Sequence, residues 1–137
     1  MPDLEAMRGR MEAFFDAMER ADIEAVKSLL DEMVAPDCEF TSAVATELSG
    51  QTYRGREEIR GYFADLVEMF ELAYEERQFS EPRPGTLVVL VDFTARSKST
   101  GMELEYGSGY VFEVEDGMIA TSHTFLSHEE ALEAVNA

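Results

Sequence analysis

The stretch "MELEYGSGYVFEVEDGMIATSHTF" (residues 102–125) has the clearest strand pattern in the chain. The tripeptide at 115–117, Glu-Asp-Gly, is typical of a hairpin turn, and it divides the stretch into strands over 102–115 and about 118–126. Gly107 and Gly109 share a face of the first strand, which is typical of a strongly bent sheet. The opposite face of that strand is formed by Tyr106, Ser108, Tyr110, Phe112 and Val114.

Upstream of this hairpin, the segment "GTLVVLVDFTARS" (85–97) also alternates with period two and predicts another long strand. The first part of the chain has helical spacing instead. Apolar residues at steps of three and four predict helices over 4–20, over 23–33 and over 55–70. The apolar stripes of the first two helices, which include Met11, Leu30 and Met33, are expected to form the core. A short strand over 38–43 and a loop precede the third helix, so the whole pattern indicates an α+β fold.

The tail contains a helix start. Ser127 and Glu130 form the pattern S-x-x-E of a capping box ahead of the apolar residues "ALEAV". This places His128 on the first turn of a short C-terminal helix, where we expect a solvated side chain without a role in a site. The single cysteine, Cys38, is expected to be a small buried residue.

Composition narrows the classes of function. The net charge is −18, which disfavours nucleic acids and anionic membrane surfaces as partners. We see no apolar run of the roughly 20 residues that a membrane helix needs, and no signal-peptide pattern, so we expect a cytoplasmic protein. One domain over 1–137 is expected, and no pattern indicates a metal or a cofactor.

Four segments together resemble a known family. The sequences "FFDAMERADIEAVKSLL", "TYRGREEIRGYF", "STGMELEYGSGYVFEVEDGMI" and "FLSHEEALEA" resemble, in order and spacing, the SnoaL-like branch of the nuclear-transport-factor-2-like superfamily. The resemblance covers nearly the whole chain. It implies a cone-shaped roll, in which a curved, mostly antiparallel sheet wraps around the N-terminal helices and a short C-terminal helix follows. A cavity is expected between the sheet and the helices.

The resemblance permits a comparison with ketosteroid isomerases, which share this superfamily. Their general base, an aspartate at the end of the first strand, corresponds here to Ser42. Serine does not abstract a proton at neutral pH without an activating base. Their two oxyanion-binding positions correspond to Phe14 and Tyr110, and only Tyr110 can donate a hydrogen bond. The isomerase mechanism is therefore disfavoured.

Limonene-epoxide hydrolases, which also share the superfamily, use an Asp–Arg–Asp set. The resemblance places Val91, Phe93 and Thr124 at those three positions. A hydrolytic water would have no carboxylate here to orient or deprotonate it. This mechanism is disfavoured as well.

The first hypothesis is therefore a protein that binds a small hydrophobic molecule in an apolar, hydroxyl-lined cavity. The residues expected to contact this ligand come from two helices and from the inward face of the sheet. They are Phe14, Phe40, Ser42, Phe63, Val91, Phe93, Ser108, Tyr110, Ser122 and Thr124.

An enzyme is the alternative hypothesis. It would be a cyclase, isomerase or dehydratase acting on a hydrophobic, polyketide-like carbonyl compound, with Tyr110 and His123 as catalytic residues. This requires His123 to face inward, whereas the expected register places it on the convex face beside Thr121 and Phe125. In many relatives that face forms a homodimer contact, and we expect a homodimer here. A protein-interaction module on the same fold is a third hypothesis.

Overall fold

A computed structural model describes residues 2–41 and 52–136, and it has the α+β plan that the sequence predicts. The helices of the first half are α1 (Pro2–Arg20), α2 (Ile23–Met33) and α3 (Gly55–Met69), and α4 (His128–Asn136) follows the last strand. None of these helices has the length and apolar character to cross a membrane, as far as the described residues go.

The predicted helical stripes form the core. Met7, Met11, Phe14 and Met18 of α1 are buried. The chain reverses at Ala21, and Asp22 then caps α2 by accepting a hydrogen bond from the backbone N–H of Ala25 at 3.2 Å. Side-chain capping thus fixes the start of α2, and its apolar face turns toward the same core as that of α1.

Within residues 2–41 and 52–136, six strands form one sheet in the order β2–β1–β6–β5–β4–β3, in which only the pair β1–β6 is parallel. This is the curved, mostly antiparallel sheet that the resemblance implies. The strands are β1 (Val34–Thr41), β2 (Thr52–Arg54), β3 (Phe70–Arg83), β4 (Thr86–Ser97), β5 (Glu103–Glu115) and β6 (Met118–Phe125).

Two boundaries at the edge of the sheet differ from the prediction. The first strand begins at Val34, directly after α2, although Pro36 lies within it. Pro36 is tolerated because the pairing with β6 is interrupted between Val34 and Glu39, where a missing N–H removes no ladder bond. Strand β2 lies in the segment that we predicted as loop. It has only three residues, and pairing with β1 rather than its own sequence pattern stabilises it.

The inner face of the sheet packs against α1, α2 and α3. In β4, Leu87, Val89 and Val91 are buried on this face, whereas Val88 is buried on the outer face beneath α4. This strand is therefore covered on both sides near Val88, which explains why the outward residues Val88 and Leu90 are apolar, whereas Asp92 and Arg96 farther along the same face are exposed.

Arg77 joins α1 to the edge of the sheet. A bulge between Glu75 and Gln78 lets its side chain reach α1, where it contacts three carboxylates spaced along one helix face. The guanidinium lies 2.9 Å from Glu12, 3.0 Å from Asp16 and 3.3 Å from Glu19. Burial acts to lower the pKa of Arg77, but these hydrogen bonds and charges outweigh it, and the pKa is raised.

Helix α4 packs against two glycines of β5, Gly107 and Gly109. A Cβ atom added to Gly109 would lie 2.4 Å from the Cβ of Ala131, and one added to Gly107 would lie 3.0 Å from Nε2 of His128. From the sequence we interpreted these two glycines as a sign of a bent sheet. The structure gives a second reason for them, which is the close approach of helix α4.

His128 is anchored rather than solvated, so this expectation was wrong. Its Nε2 lies 2.8 Å from the carbonyl oxygen of Val91, and the side chain is partly buried. The capping box itself is confirmed on one side, because Oγ of Ser127 accepts a hydrogen bond from the N–H of Glu130 at 3.1 Å. The cap starts the helix in the place where His128 can reach the sheet. Helix α4 covers only part of the outer face of the sheet. A homodimer through the rest of that face stays a prediction.

Replacement of Gly109 by alanine tests the close packing of α4 on β5. We expect Gly109→Ala to lower the free energy of unfolding by about 1–3 kcal/mol, because its methyl group overlaps Ala131. The control is Gly61→Ala in α3, where nothing lies within 4 Å of the added Cβ. That change should raise stability by about 0.5–1 kcal/mol. Urea denaturation measures both, and equal stability of the Gly109 variant and the wild type would contradict the close packing.

Candidate functional site

A cavity lies between the helices and the inner face of the sheet. Its helical wall consists of Met11, Phe14 and Phe15 from α1, Leu30 and Met33 from α2, and Ile59 and Phe63 from α3. Its sheet wall consists of Val34, Cys38 and Phe40 from β1, Tyr74 from β3, Tyr110 and Phe112 from β5, and Ile119 and Ser122 from β6. The wall is therefore almost entirely apolar and rich in aromatic rings.

The enclosed space is small. About 560 Å³ is free of protein atoms when the mouth is included, but the centre of a water molecule can reach only about 50 Å³ of it. One water molecule needs about 10–15 Å³ of the volume that its centre can reach, so the interior holds about three to five waters. A larger ligand has to displace wall side chains. Met11 and Met33 are suited to this because an unbranched thioether changes rotamer easily.

Ring contacts fix the remaining wall. Phe15 stacks on Tyr74 with centroids 4.7 Å apart, and Phe14 meets Phe63 edge to face at 5.2 Å. Phe40 contacts Phe63 at 5.4 Å and so connects β1 to α3. The aromatic side chains of the helices thus pack against those of the sheet, and the cavity lies between them.

Strand β6 contributes both an odd-numbered and an even-numbered residue to the cavity wall, although alternate residues of a regular strand face opposite sides. A bulge at Ala120, where the register with β5 shifts, lets Ile119 and Ser122 both face inward. Beyond the bulge the alternation is regular, so Ser122 is buried on the inner face and His123 is exposed on the outer face.

This register corrects the catalytic pair of the alternative hypothesis. Tyr110 lines the cavity, whereas His123 lies on the opposite face of the sheet next to Phe125. The two side chains cannot act on one substrate atom, because the sheet separates them. Among the described residues, no three metal-binding side chains converge either.

The predicted contact residues divide into two groups. Phe14, Phe40, Phe63, Tyr110 and Ser122 line the cavity.

Val91, Phe93, Ser108 and Thr124 share the inward face but do not line the wall. Val91 is fully buried, and Phe93 packs against Tyr74 with centroids 5.2 Å apart, so core packing occupies both side chains. Oγ of Ser108 donates a hydrogen bond to the carbonyl oxygen of Phe125 at 3.4 Å. Ser42 lies outside the described residues.

Thr124 differs from the other residues of the second group. Its Oγ1 is buried and has no hydrogen-bond partner among the described residues. Thr124 lies directly opposite Tyr110 in the β5–β6 ladder, so the two side chains are neighbours on the inner face. An unpaired buried hydroxyl costs about 1–3 kcal/mol, and a ligand or a water can remove this cost.

Cys38 was expected only as a buried residue, and it is buried, but it also lines the cavity. Burial, together with the charges of Asp37 and Glu39, raises the pKa of its thiol to about 11. The thiol is therefore protonated at neutral pH and is a poor nucleophile.

Several wall residues were not predicted as contacts. Met11, Leu30 and Met33 were assigned to the core by their helical spacing, which does not distinguish a core face from a cavity face. Tyr74 was missed because the charged residues around it hide the start of β3.

Comparison with known proteins supports the same fold. The profile of the SnoaL-like domain family matches residues 11–122. No curated protein has a significant sequence match to the chain.

Solved structures with this fold include a proposed isomerase from Bacillus subtilis, which is 18% identical with a TM-score of 0.77 over 99% of this chain and 96% of that one. A proposed SnoaL-like polyketide cyclase from Jannaschia sp. CCS1 is 17% identical with a TM-score of 0.73 over 96% of this chain and 92% of that one. TerC, co-crystallised with polyporic acid, is 18% identical with a TM-score of 0.69 over 100% of both chains. At such identities these structures share a fold with the chain, and they do not transfer an activity. Because the family profile spans most of the sequence and the cone-shaped fold agrees with it, the chain belongs to the SnoaL-like domain family.

Proposed function

We propose that this protein binds a small, mostly apolar molecule in the cavity between α1, α3 and the sheet. One observation carries the proposal: none of the residues that line the described cavity is Asp, Glu, His, Lys or Arg. A proton-transfer site needs a group with a pKa near the working pH, whereas a binding site needs shape and a few hydrogen bonds. The wall fits the second requirement.

The size of the cavity restricts the ligand. With only about 50 Å³ open to the centre of a water molecule, a ring system of several fused rings would have to displace more of the wall than a single ring would, and Met11 and Met33 are the wall side chains best suited to move. This disfavours the polyketide-like substrate of the alternative hypothesis. We therefore propose ligands with about one ring.

Polar contacts would orient the ligand at the β5–β6 side of the cavity. Ser122 lies on the wall. Thr124 is not a wall residue, but it lies next to the wall residue Tyr110 and its buried hydroxyl has no partner among the described residues, so we propose that a bound ligand reaches it after local movement of the wall. Tyr110 lies beside both. A ligand that carries an amide, carbonyl or hydroxyl group would reduce the desolvation cost at Thr124.

Benzamide is a suitable probe, since it combines one ring with an uncharged polar group. We expect saturable binding with a Kd in the millimolar range or tighter, followed by amide chemical shifts in NMR. Thr124→Val should weaken this binding about fivefold, which corresponds to the loss of one hydrogen bond. The same variant should unfold at a higher urea concentration, with a gain of about 1 kcal/mol, because the buried unpaired hydroxyl is removed.

The matched control is Thr121→Val, the same substitution on the outer face of the same strand. It should leave the affinity for benzamide unchanged. If wild-type protein does not bind benzamide or other uncharged single-ring compounds, the proposed function is wrong. If Thr124→Val loses stability, the hydroxyl is already satisfied and is not a ligand contact.

Alkylation of Cys38 by iodoacetamide tests whether the cavity contains a thiolate nucleophile. At pH 8 the native protein should react at least about 100-fold more slowly than the protein unfolded in urea, because the folded thiol titrates near 11 instead of its ordinary 9.0. Between pH 8 and pH 10 the native rate should rise about 90-fold, whereas the unfolded rate should rise only about tenfold as its thiol becomes fully ionised. Circular dichroism checks that the fold persists at pH 10. A native rate that levels off above pH 9 would contradict the raised pKa.

A further inference from the structure

Among the described residues, the cavity wall offers no charged side chain that could neutralise an ionic ligand. Its polar groups in the described residues are hydroxyls and the thiol of Cys38. A carboxylate moved from water into such an environment loses its hydration, and the wall supplies no cation in return.

The charge around the cavity is negative. The chain has 29 acidic and 11 basic residues. On β1, Asp37 and Glu39 flank Cys38, and both are exposed while Cys38 faces the cavity. They therefore place two carboxylates on the outer side of the strand that carries Cys38, where water screens them in part, and they still disfavour a negative charge at the thiol.

Arg56 and Arg77 contact wall residues from outside the cavity. Nε of Arg56 donates a hydrogen bond to the carbonyl oxygen of Val34 at 2.8 Å, and its Nη2 lies 3.9 Å from Sδ of Met118. These contacts hold the guanidinium at the outer side of the wall, although they do not neutralise its charge. Arg77 lies over the ring of Phe15, but three carboxylates of α1 surround it. Glu39 pairs with Arg54 at 3.7 Å, in a pair that is exposed to solvent and therefore weak.

From these contacts we infer that the cavity selects uncharged ligands and excludes small carboxylates of the same shape. The inference rests on the proposed function of the cavity and names the charge of the ligand class that it takes. The thiol of Cys38 agrees with this, since burial, and after it the charges of Asp37 and Glu39, raise its pKa to about 11, so the same wall disfavours the anionic form of its own side chain.

The test compares benzamide with benzoate, which have nearly the same shape and differ in charge. At pH 7.5 we expect benzoate to bind about 100-fold more weakly than benzamide. At pH 5.5 the affinity for total benzoic acid should rise about fourfold, because a carboxyl group with a pKa near 4 is then about 3% neutral and the neutral form adds to the weak binding of the anion. Benzamide does not titrate in this range, and its affinity should change less than twofold, which controls for titration of the protein itself.

A pair of double variants tests the source of the exclusion. Asp37→Asn with Glu39→Gln removes the two carboxylates next to Cys38, whereas Glu103→Gln with Glu105→Gln removes the same charge from the exposed start of β5. Only the first pair should raise the affinity for benzoate several-fold, and neither should affect benzamide.

The outcomes separate this inference from the proposed function. Binding of benzamide with exclusion of benzoate supports both. Equal binding of the two probes at pH 7.5 overturns the charge selection and leaves the binding function intact. Binding of neither probe overturns the proposed function, and the inference about its ligands fails with it. An equal response of the two double variants overturns the role of Asp37 and Glu39.

Discussion

The ion cluster around Arg77 holds α1 against the open edge of the sheet, and the cavity depends on this attachment. The guanidinium contacts Glu12, Asp16 and Glu19, and Nε donates a hydrogen bond to the carbonyl oxygen of Tyr74 at 2.8 Å. Glu19 in turn accepts a hydrogen bond from the backbone N–H of Tyr74 at 2.7 Å. These contacts fix the position of α1 relative to β3. The stack of Phe15 on Tyr74 then forms one end of the cavity wall.

The second constraint acts on the other face of the sheet. Helix α4 packs directly on Gly109, and His128 is held at the carbonyl oxygen of Val91. This covers β4 from outside while α1 and α3 cover the sheet from inside. The sheet is therefore packed on both faces at this place, and the side chains of the helices, above all Met11 and Met33, are the part of the wall best suited to adapt to a ligand.

Patterns with a period predicted most of the fold. The alternation in 85–97 and 102–115 located β4 and β5, and the parity after the hairpin placed Ser122 inward and His123 outward, as observed. The cavity was harder to predict, because periodicity shows which residues face inward but not where packing stops. Val91 and Phe93 face inward and are core, whereas Met33 and Cys38 were read as core and line the cavity. Tyr74 and β2 were missed because edge strands depend on their partners more than on their own pattern.

Binding of a small uncharged molecule in the cavity between the helices and the sheet is tested most directly by NOEs between the ring protons of benzamide and the methyl groups of methionine, which are spread over the whole protein. We expect NOEs to Met11 and Met33, which line the cavity, and none to the exposed residues Met69 and Met102. NOEs to Met69 or Met102 without contacts to Met11 and Met33 would place the ligand on the surface and exclude binding in the cavity.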